Sequence, residues 1–191
     1  ALGRKEEAEE SYKAALAMDP IQEQLATATQ LFARGEVEEA EKLCREVLKK
    51  KPDDVNGLVL LASIASKMEQ KEDAIVLLER AVELKPKFAR AWADLAESYS
   101  EIEDYENAIR LYTEALQIAR INTGLYSPEQ IPILDSLIEV NSRSTDWQEV
   151  DDFQELHYLI NSRIYELTEI EYIAAAEIYG AWKLRVIREN L

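Results

Sequence analysis

The sequence is poor in the residues on which most folds outside the all-helical class depend. It holds 5 Gly and 5 Pro in 191 residues, fewer turn formers than a sheet-rich chain of this length requires. A single cysteine, Cys44, excludes an internal disulfide and any zinc site built from thiolates. A single histidine, His157, would leave a metal with carboxylates alone to complete its shell, so neither a metal centre nor a cofactor is expected. No Cys or Ser arrangement around His157 fits nucleophilic work. None of the glycines begins a G-x-G, so a phosphate cradle is missing. No run of about 18 apolar residues occurs, which rules out a helical membrane span. No signal peptide is visible.

Positive charge is also scarce. Against 38 Asp+Glu stand 22 Lys+Arg, a formal net charge of -16. That surplus repels phosphate backbones and anionic headgroups, so nucleic acid and membrane surfaces are poor partners. It either selects basic partners or keeps an elongated molecule soluble. Adjacent acids such as Glu38 and Glu39, or Asp151 and Asp152, point in different directions on a helix and make no catalytic pair. The expectation is a protein that is not an enzyme, with cytoplasm as the default compartment.

What the chain does have is 47% hydrophobic residues and a repeat. Ala8, Tyr12, Ala15 and Pro20 form one set, and Ala40, Cys44, Val47 and Pro52 the next. Ala74, Leu78, Ala81 and Pro86 follow, then Ala108, Tyr112 and Ala115, with Arg120 where the proline would fall. The leading alanines are 32, 34 and 34 residues apart. Each set places a small residue where two helices cross closely, with a large one four later and a small one three beyond on the same face. The proline then ends the helix. Upstream of the sets run first helices with their own stripes: Leu58, Leu61, Ala62 and Ala65, then Trp92, Leu95, Ala96 and Tyr99. Proline breaks at this spacing exclude a coiled coil.

These residues resemble the tetratricopeptide repeat, W-x2-L-G-x2-Y followed by A-x3-F-x2-A and P. The set Trp92, Leu95, Ala96, Tyr99, Ala108, Tyr112 and Ala115 carries the resemblance best, and it extends over residues 1–120. The implied fold is all-α: a right-handed superhelical solenoid of antiparallel helix hairpins with a C-terminal capping helix. Residues 1–191 read as one such domain. A partial repeat at 1–20 precedes repeats at 21–54, 55–88 and 89–122, a longer repeat at 123–166 and the cap at 167–191. The longer repeat, with Gly124 and Pro128 in its turn and Val150 lying 42 residues after Ala108, is similar to those of kinesin light chains. There Val150 replaces an alanine and Gln154 an aromatic. The last helix has apolar positions Ile170, Ile173, Ala174, Ile178, Ala181, Trp182 and Val186 and is expected to keep its other side polar, as a solenoid cap requires. Residues 23–120 are also similar to the repeat region of bacterial repeat-containing sulfotransferases, without their catalytic domain.

In the resembling family, first helices line a concave groove. Projected onto this chain, the lining is Leu25, Thr29 and Phe32, then Asn56, Leu60, Ser63 and Lys67, then Arg90, Asp94, Glu97 and Glu101, with Asp135 and Glu139 from the longer repeat. The groove would be apolar at its N-terminal end and acidic at its C-terminal end. It would hold a peptide or helix of a partner protein with basic and apolar character. Family members that clamp the carboxylate tails of chaperones need an Arg where Asp94 stands, and only Asn56 and Arg90 echo that clamp, so such tails are not expected. Cys44 fills a large core slot and should be buried and inert. The first helix, with Ala8, Tyr12 and Ala15, lacks an upstream mate. The chain therefore reads as a fragment of a longer array, or as one that pairs with another copy through that open helix. An oligomerisation or regulatory segment of a larger protein or enzyme is the alternative reading.

Overall fold

The computed structural model describes residues 20–190. The partial repeat expected at 1–20, with Ala8, Tyr12 and Ala15, lies outside the described residues, Pro20 excepted. Nine α-helices occur among the described residues: α1 (Pro20–Ala33), α2 (Val37–Lys50), α3 (Val55–Lys67), α4 (Lys71–Leu84), α5 (Ala89–Glu101), α6 (Tyr105–Thr123), α7 (Ile131–Ser144), α8 (Trp147–Ile164) and α9 (Ile170–Glu189). A 3-10 turn, Pro128–Gln130, precedes α7. Consecutive helices pair as hairpins, α1 with α2 through α7 with α8, and α9 packs on α8.

One backbone device makes every hairpin turn. Gly35, Glu69, Glu103 and Thr145 all sit in the left-handed region, with φ of 83°, 61°, 63° and 63°, at steps of 34, 34 and 42 residues. The N–H that follows each reaches back to the last turn of the preceding helix: Glu36 to Leu31, Gln70 to Ala65, Asp104 to Tyr99 and Asp146 to Asn141, each near 3.0 Å. This six-to-one bond satisfies carbonyls that a helix end leaves open. Asp104 and Asp146 then cap the next helix, their carboxylates accepting from the N–H of Asn107 and Glu149. Between hairpins Asp54 does the same for α3, accepting from Gly57 N at 3.0 Å while Lys51 lies 2.9 Å away.

The alanines at the crossings are fully buried: Ala40, Ala74, Ala81, Ala108 and Ala115. With no side chain beyond Cβ, they let helices approach at the short end of the packing range. Gly57 marks a still closer approach, since a Cβ there would lie 3.0 Å from Leu48 Cδ2 of α2. Leu25, Ala40, Cys44, Val47, Leu61 and Ile64 form one core cluster. A larger one runs from Leu58 on α3 to Ile160 on α8. Cys44 is buried, its Sγ donating to the Gly57 carbonyl at 3.1 Å, and burial pushes its thiol up to about 11. The thiol is therefore neutral and unreactive near neutral pH.

Two features depart from the repeat pattern for physical reasons. Without a proline at Arg120, α6 continues to Thr123. Gln130, fully buried, then staples the extended turn: its Nε2 donates to the Gly124 carbonyl at 2.8 Å and its Oε1 accepts from Arg120 Nε at 3.3 Å. The last helix packs on α8 through only part of the expected stripe, Trp182 and the half-buried Val186. Ala175 and Trp182 are buried, Tyr179 stacks on Tyr158 with centroids 5.0 Å apart, and Tyr172 meets Tyr158 at 6.2 Å. Asp151 of α8 accepts from Trp182 Nε1 at 2.8 Å and from Lys183 Nζ at 2.7 Å. Ile170, Ile173 and Ile178, expected to pack, face away from the molecule. The exposed part of this helix is mixed, with Ile170, Ile178, Leu184 and Ile187 among Glu171, Glu177, Arg185 and Arg188.

Candidate functional site

Successive first helices touch one another, α1 with α3, α3 with α5 and α5 with α7, whereas successive second helices do not. A stack whose first helices converge and whose second helices splay must curve towards the first, so α1, α3, α5 and α7 form the inner wall. Two cavities open along it. One, of about 390 Å³, is lined by Phe32 of α1, Ser63, Ser66 and Lys67 of α3, and Arg90, Asp94, Glu97 and Glu101 of α5. The other, of about 570 Å³, is bounded by Phe88, Ala93, Tyr112, Pro132, Ile133 and Ser136. Arg90, Asp94 and Glu97 belong to both and form the wall between them.

The charges on that wall are strained by their surroundings. Asp94 Oδ2 is buried and makes no hydrogen bond; Arg90 Nε lies 3.5 Å away, at ion-pair distance only. Burial raises the Asp94 carboxyl above the ordinary aspartate range, against the pull of Arg90. Glu97 is raised too, by burial first and then by repulsion from Asp94 and Glu101. Tyr112, buried beneath them, is pushed up to about 12 by burial, with the acids of Glu97, Glu139 and Asp94 adding to the effect. Three carboxylates thus share this space with Lys67 and Arg90, and the Arg90 side chain that pairs with Asp94 is 73% exposed. Such an exposed pair holds weakly.

The expected lining residues fall into distinct places. Phe32, Ser63, Lys67, Arg90, Asp94, Glu97 and Glu101 meet at the first cavity. Glu101 is partly engaged, accepting from Ser66 Oγ at 2.9 Å. Leu25 does not line the groove: it is 5% exposed and sits in the core against Ala40 and Cys44, because the register of α1 turns it inwards. Leu60 is half-buried against the same core. Thr29 and Asn56 are exposed outside both cavities, and Thr29 Oγ1 bonds back to the Leu25 carbonyl. Asp135 lies 3.4 Å from His157 Nε2, and Glu139 pairs with Arg143 at 2.6 Å. Phe88, Tyr112, Ile133 and Ser136 were not anticipated. They come from a turn, a second helix and the longer repeat. Among the described residues no group of three or more His, Cys, Asp or Glu could hold a metal, and no helix is long and apolar enough to cross a membrane.

Comparison with known proteins agrees with this architecture. Residues 1–55, 31–98 and 91–126 each match a family model described as tetratricopeptide repeat. The chain belongs to the tetratricopeptide-repeat family: it is a superhelical solenoid of antiparallel hairpins, and repeats of this kind make protein–protein interaction scaffolds. A kinesin light chain of Podosopora anserina with nearly identical TPR-like repeats superposes with a TM-score of 0.72 at 17% identity, over 85% of this chain and 84% of that one. MamA protein superposes with a TM-score of 0.66 at 18% identity, over 79% of each. In sequence the chain is similar to an N-terminal acetyltransferase A complex subunit-like protein of Schizosaccharomyces pombe, 32% identical over 95 residues, or 50% of this chain and 14% of that protein. Tetratricopeptide repeat protein 37 of Xenopus laevis is 25% identical over 162 residues, which is 83% of this chain and 10% of the relative. The chain thus spans a small part of the length of these curated relatives.

Proposed function

We propose that the inner wall of α1, α3, α5 and α7 holds a segment of another protein that carries an apolar anchor and basic side chains, and that it does so without catalysis of its own. The observation behind this reading is the shared wall: Asp94 has a buried oxygen without a hydrogen bond, and Glu97 stands beside it, at the junction of an apolar cavity and a polar one. A lysine or arginine of the partner would supply the hydrogen bonds that Arg90 does not, relieving a desolvation cost already present in the free protein. An aliphatic or aromatic side chain would fill the space between Phe88, Tyr112 and Ile133. Burying about 100 Å² of it contributes roughly 2.5 kcal/mol before ordering costs. The acids add steering and orientation more than affinity.

The test is a peptide array varying apolar and basic positions, followed by titration calorimetry on the strongest binders. Glu97→Lys should weaken basic–apolar peptides at least tenfold, about 1.4 kcal/mol. Glu72→Lys on α4, outside both cavities, should change affinity little. Equal losses from both variants would reduce the effect to overall charge. Peptides that bind Glu97→Lys as well as the parent chain would remove the groove from consideration.

A further inference from the structure

Arg90 is a poorly matched partner for Asp94. Elsewhere in the chain an arginine and an acid one helical turn apart close to hydrogen-bond distance: Arg45 with Glu41 at 2.8 Å, Arg143 with Glu139 at 2.6 Å and Arg185 with Glu189 at 2.9 Å. Arg90 Nε stops 3.5 Å from Asp94 Oδ2, and that oxygen has no hydrogen bond. The causes are local. Aspartate is one methylene shorter than glutamate and cannot meet the guanidinium halfway. The base also precedes the acid along the helix, the less favourable order, whereas Glu41 and Glu139 precede their arginines. Arg185 precedes its acid too, but the longer glutamate closes the gap. Arg90 is the second residue of α5, a helix with neither an acid in its first turn nor a side-chain cap. A cation there faces the positive end of the helix dipole.

What Arg90 leaves undone lies on the groove side. Asp94 Oδ2 is buried, and the carboxyl stays above the ordinary aspartate range in spite of Arg90. Lys67, which lines the first cavity, does not take over the pairing; the cation at Asp94 is Arg90. The Arg90 side chain borders both cavities and stands largely in solvent, so it can swing away without opening a void. A cation is thus held by a weak contact beside a buried oxygen, at the junction where the base of a bound segment would enter.

Resting on the groove reading above, we infer that Arg90 is the groove's internal competitor: it stands in for the partner's base at Asp94 in the free protein and is displaced by that base when the partner's apolar side chain enters the larger cavity. A tethered guanidinium is present at Asp94 at a high effective concentration. Every basic segment must displace it, so a base alone gains little, and the apolar anchor between Phe88, Tyr112 and Ile133 decides whether a segment stays. The groove therefore takes segments in which base and anchor occur together and turns away those that are merely basic. An exposed pair of this kind is worth up to about fivefold in an equilibrium, so displacing it lowers the affinity for a basic segment by about two- to fivefold.

Titration calorimetry of the whole chain tests it with short acetylated peptides of Arg, Leu and Ala. Each is paired with an analogue in which citrulline, uncharged and nearly isosteric, replaces arginine. Arg90→Gln should tighten the arginine peptide by about two- to fivefold and leave the citrulline analogue unchanged. Combined with Asp94→Asn, Arg90→Gln should have no further effect, because the contact it removes is already gone. Lys67→Gln removes the same charge from the first cavity, and its effect should be the same with or without Asp94→Asn. An arginine peptide that binds Arg90→Gln no more tightly than the parent chain, while Glu97→Lys still weakens it, would overturn this inference and leave the groove reading standing. Equal tightening by Arg90→Gln and Lys67→Gln, both indifferent to Asp94→Asn, would overturn it too and reduce Arg90 to a distant charge. If Glu97→Lys binds the peptides as the parent does, or if none of them binds the parent, the groove reading falls and this inference with it.

Discussion

Replacing Trp182 by alanine should release α9 from the stack and leave the rest of the molecule in place. The indole is 8% exposed, so nearly all of its surface is withdrawn from water. Roughly 200 Å² at about 25 cal/mol per Å² sets an upper figure near 5 kcal/mol, and buried Trp or Phe truncations cost about 3–5 kcal/mol. Its N–H bond to Asp151 is lost as well, but Lys183 keeps both Asp151 oxygens at 2.7 and 2.8 Å, so no buried charge is orphaned. About 3 kcal/mol is therefore the working value. Because α9 packs only on α8 among the described residues, that loss has nowhere to spread. Amide hydrogen exchange, read helix by helix, is the assay. Protection across α9 should fall by about a hundredfold or more, that of α8 by less, and that of α1 to α5 should not change. Trp182→Phe, which keeps an aromatic ring and drops the N–H, should fall between. If protection in α9 changes by less than about threefold, or if every helix loses protection equally, the premise of nearest-neighbour stability is wrong for this molecule.

Gln154→Leu should stabilise the chain by about 1–2 kcal/mol in urea unfolding, because Gln154 is 9% exposed and its buried Oε1 has no hydrogen-bond partner; a lower midpoint for the variant would mean that the amide is satisfied. The groove acids give stability a pH dependence of unusual sign. Asp94 and Glu97 have carboxyls raised in the folded state, so the folded protein binds protons more readily than the unfolded chain, and stability rises as pH falls from neutrality towards the ordinary carboxylate range near 4. Asp54 and Asp151 act oppositely. Against the opposing effect of burial, hydrogen bonds from Lys51 and from Lys183 hold their carboxyls low, and the stability they contribute above the unfolded value is lost as pH falls through their folded values. The unfolding midpoint should therefore pass through a maximum in mild acid. Asp94→Asn with Glu97→Gln should flatten the rise from neutral pH; an unchanged slope in that variant would exclude the groove carboxyls as its source.

The parts of this fold that the sequence makes legible are those where geometry admits few residues. Ala40, Ala74 and Ala108 stand where helix backbones nearly touch, and only a small side chain fits, so their spacing announces the hairpins. The turns are less visible although they are built alike. Gly35 declares a left-handed residue, but Glu69, Glu103 and Thr145 take the same conformation at about 61–63° without a glycine, held by the helix-end hydrogen bond instead of by steric freedom. In the groove, Asp94, Glu97 and Glu101 could be projected from the register of α5, since a stripe of acids has only one wall to occupy. Tyr112, Phe88 and Ile133 could not, because they reach the larger cavity from a second helix, a turn and the longer repeat, and no single helix register projects them together. The case of α9 is sharper. Apolar residues stand on both of its sides, among exposed charges on one, and periodicity cannot choose between them. The aromatic side packs because α8 offers Tyr158 as a stacking partner and Asp151 as an acceptor for Trp182 and Lys183; the aliphatic side finds no such match on α8. A helix with apolar residues on two sides and one neighbour keeps the better-matched contact and presents the other. That is why, of the residues expected to bury this helix, Trp182 is buried while Ile170, Ile173 and Ile178 stay exposed.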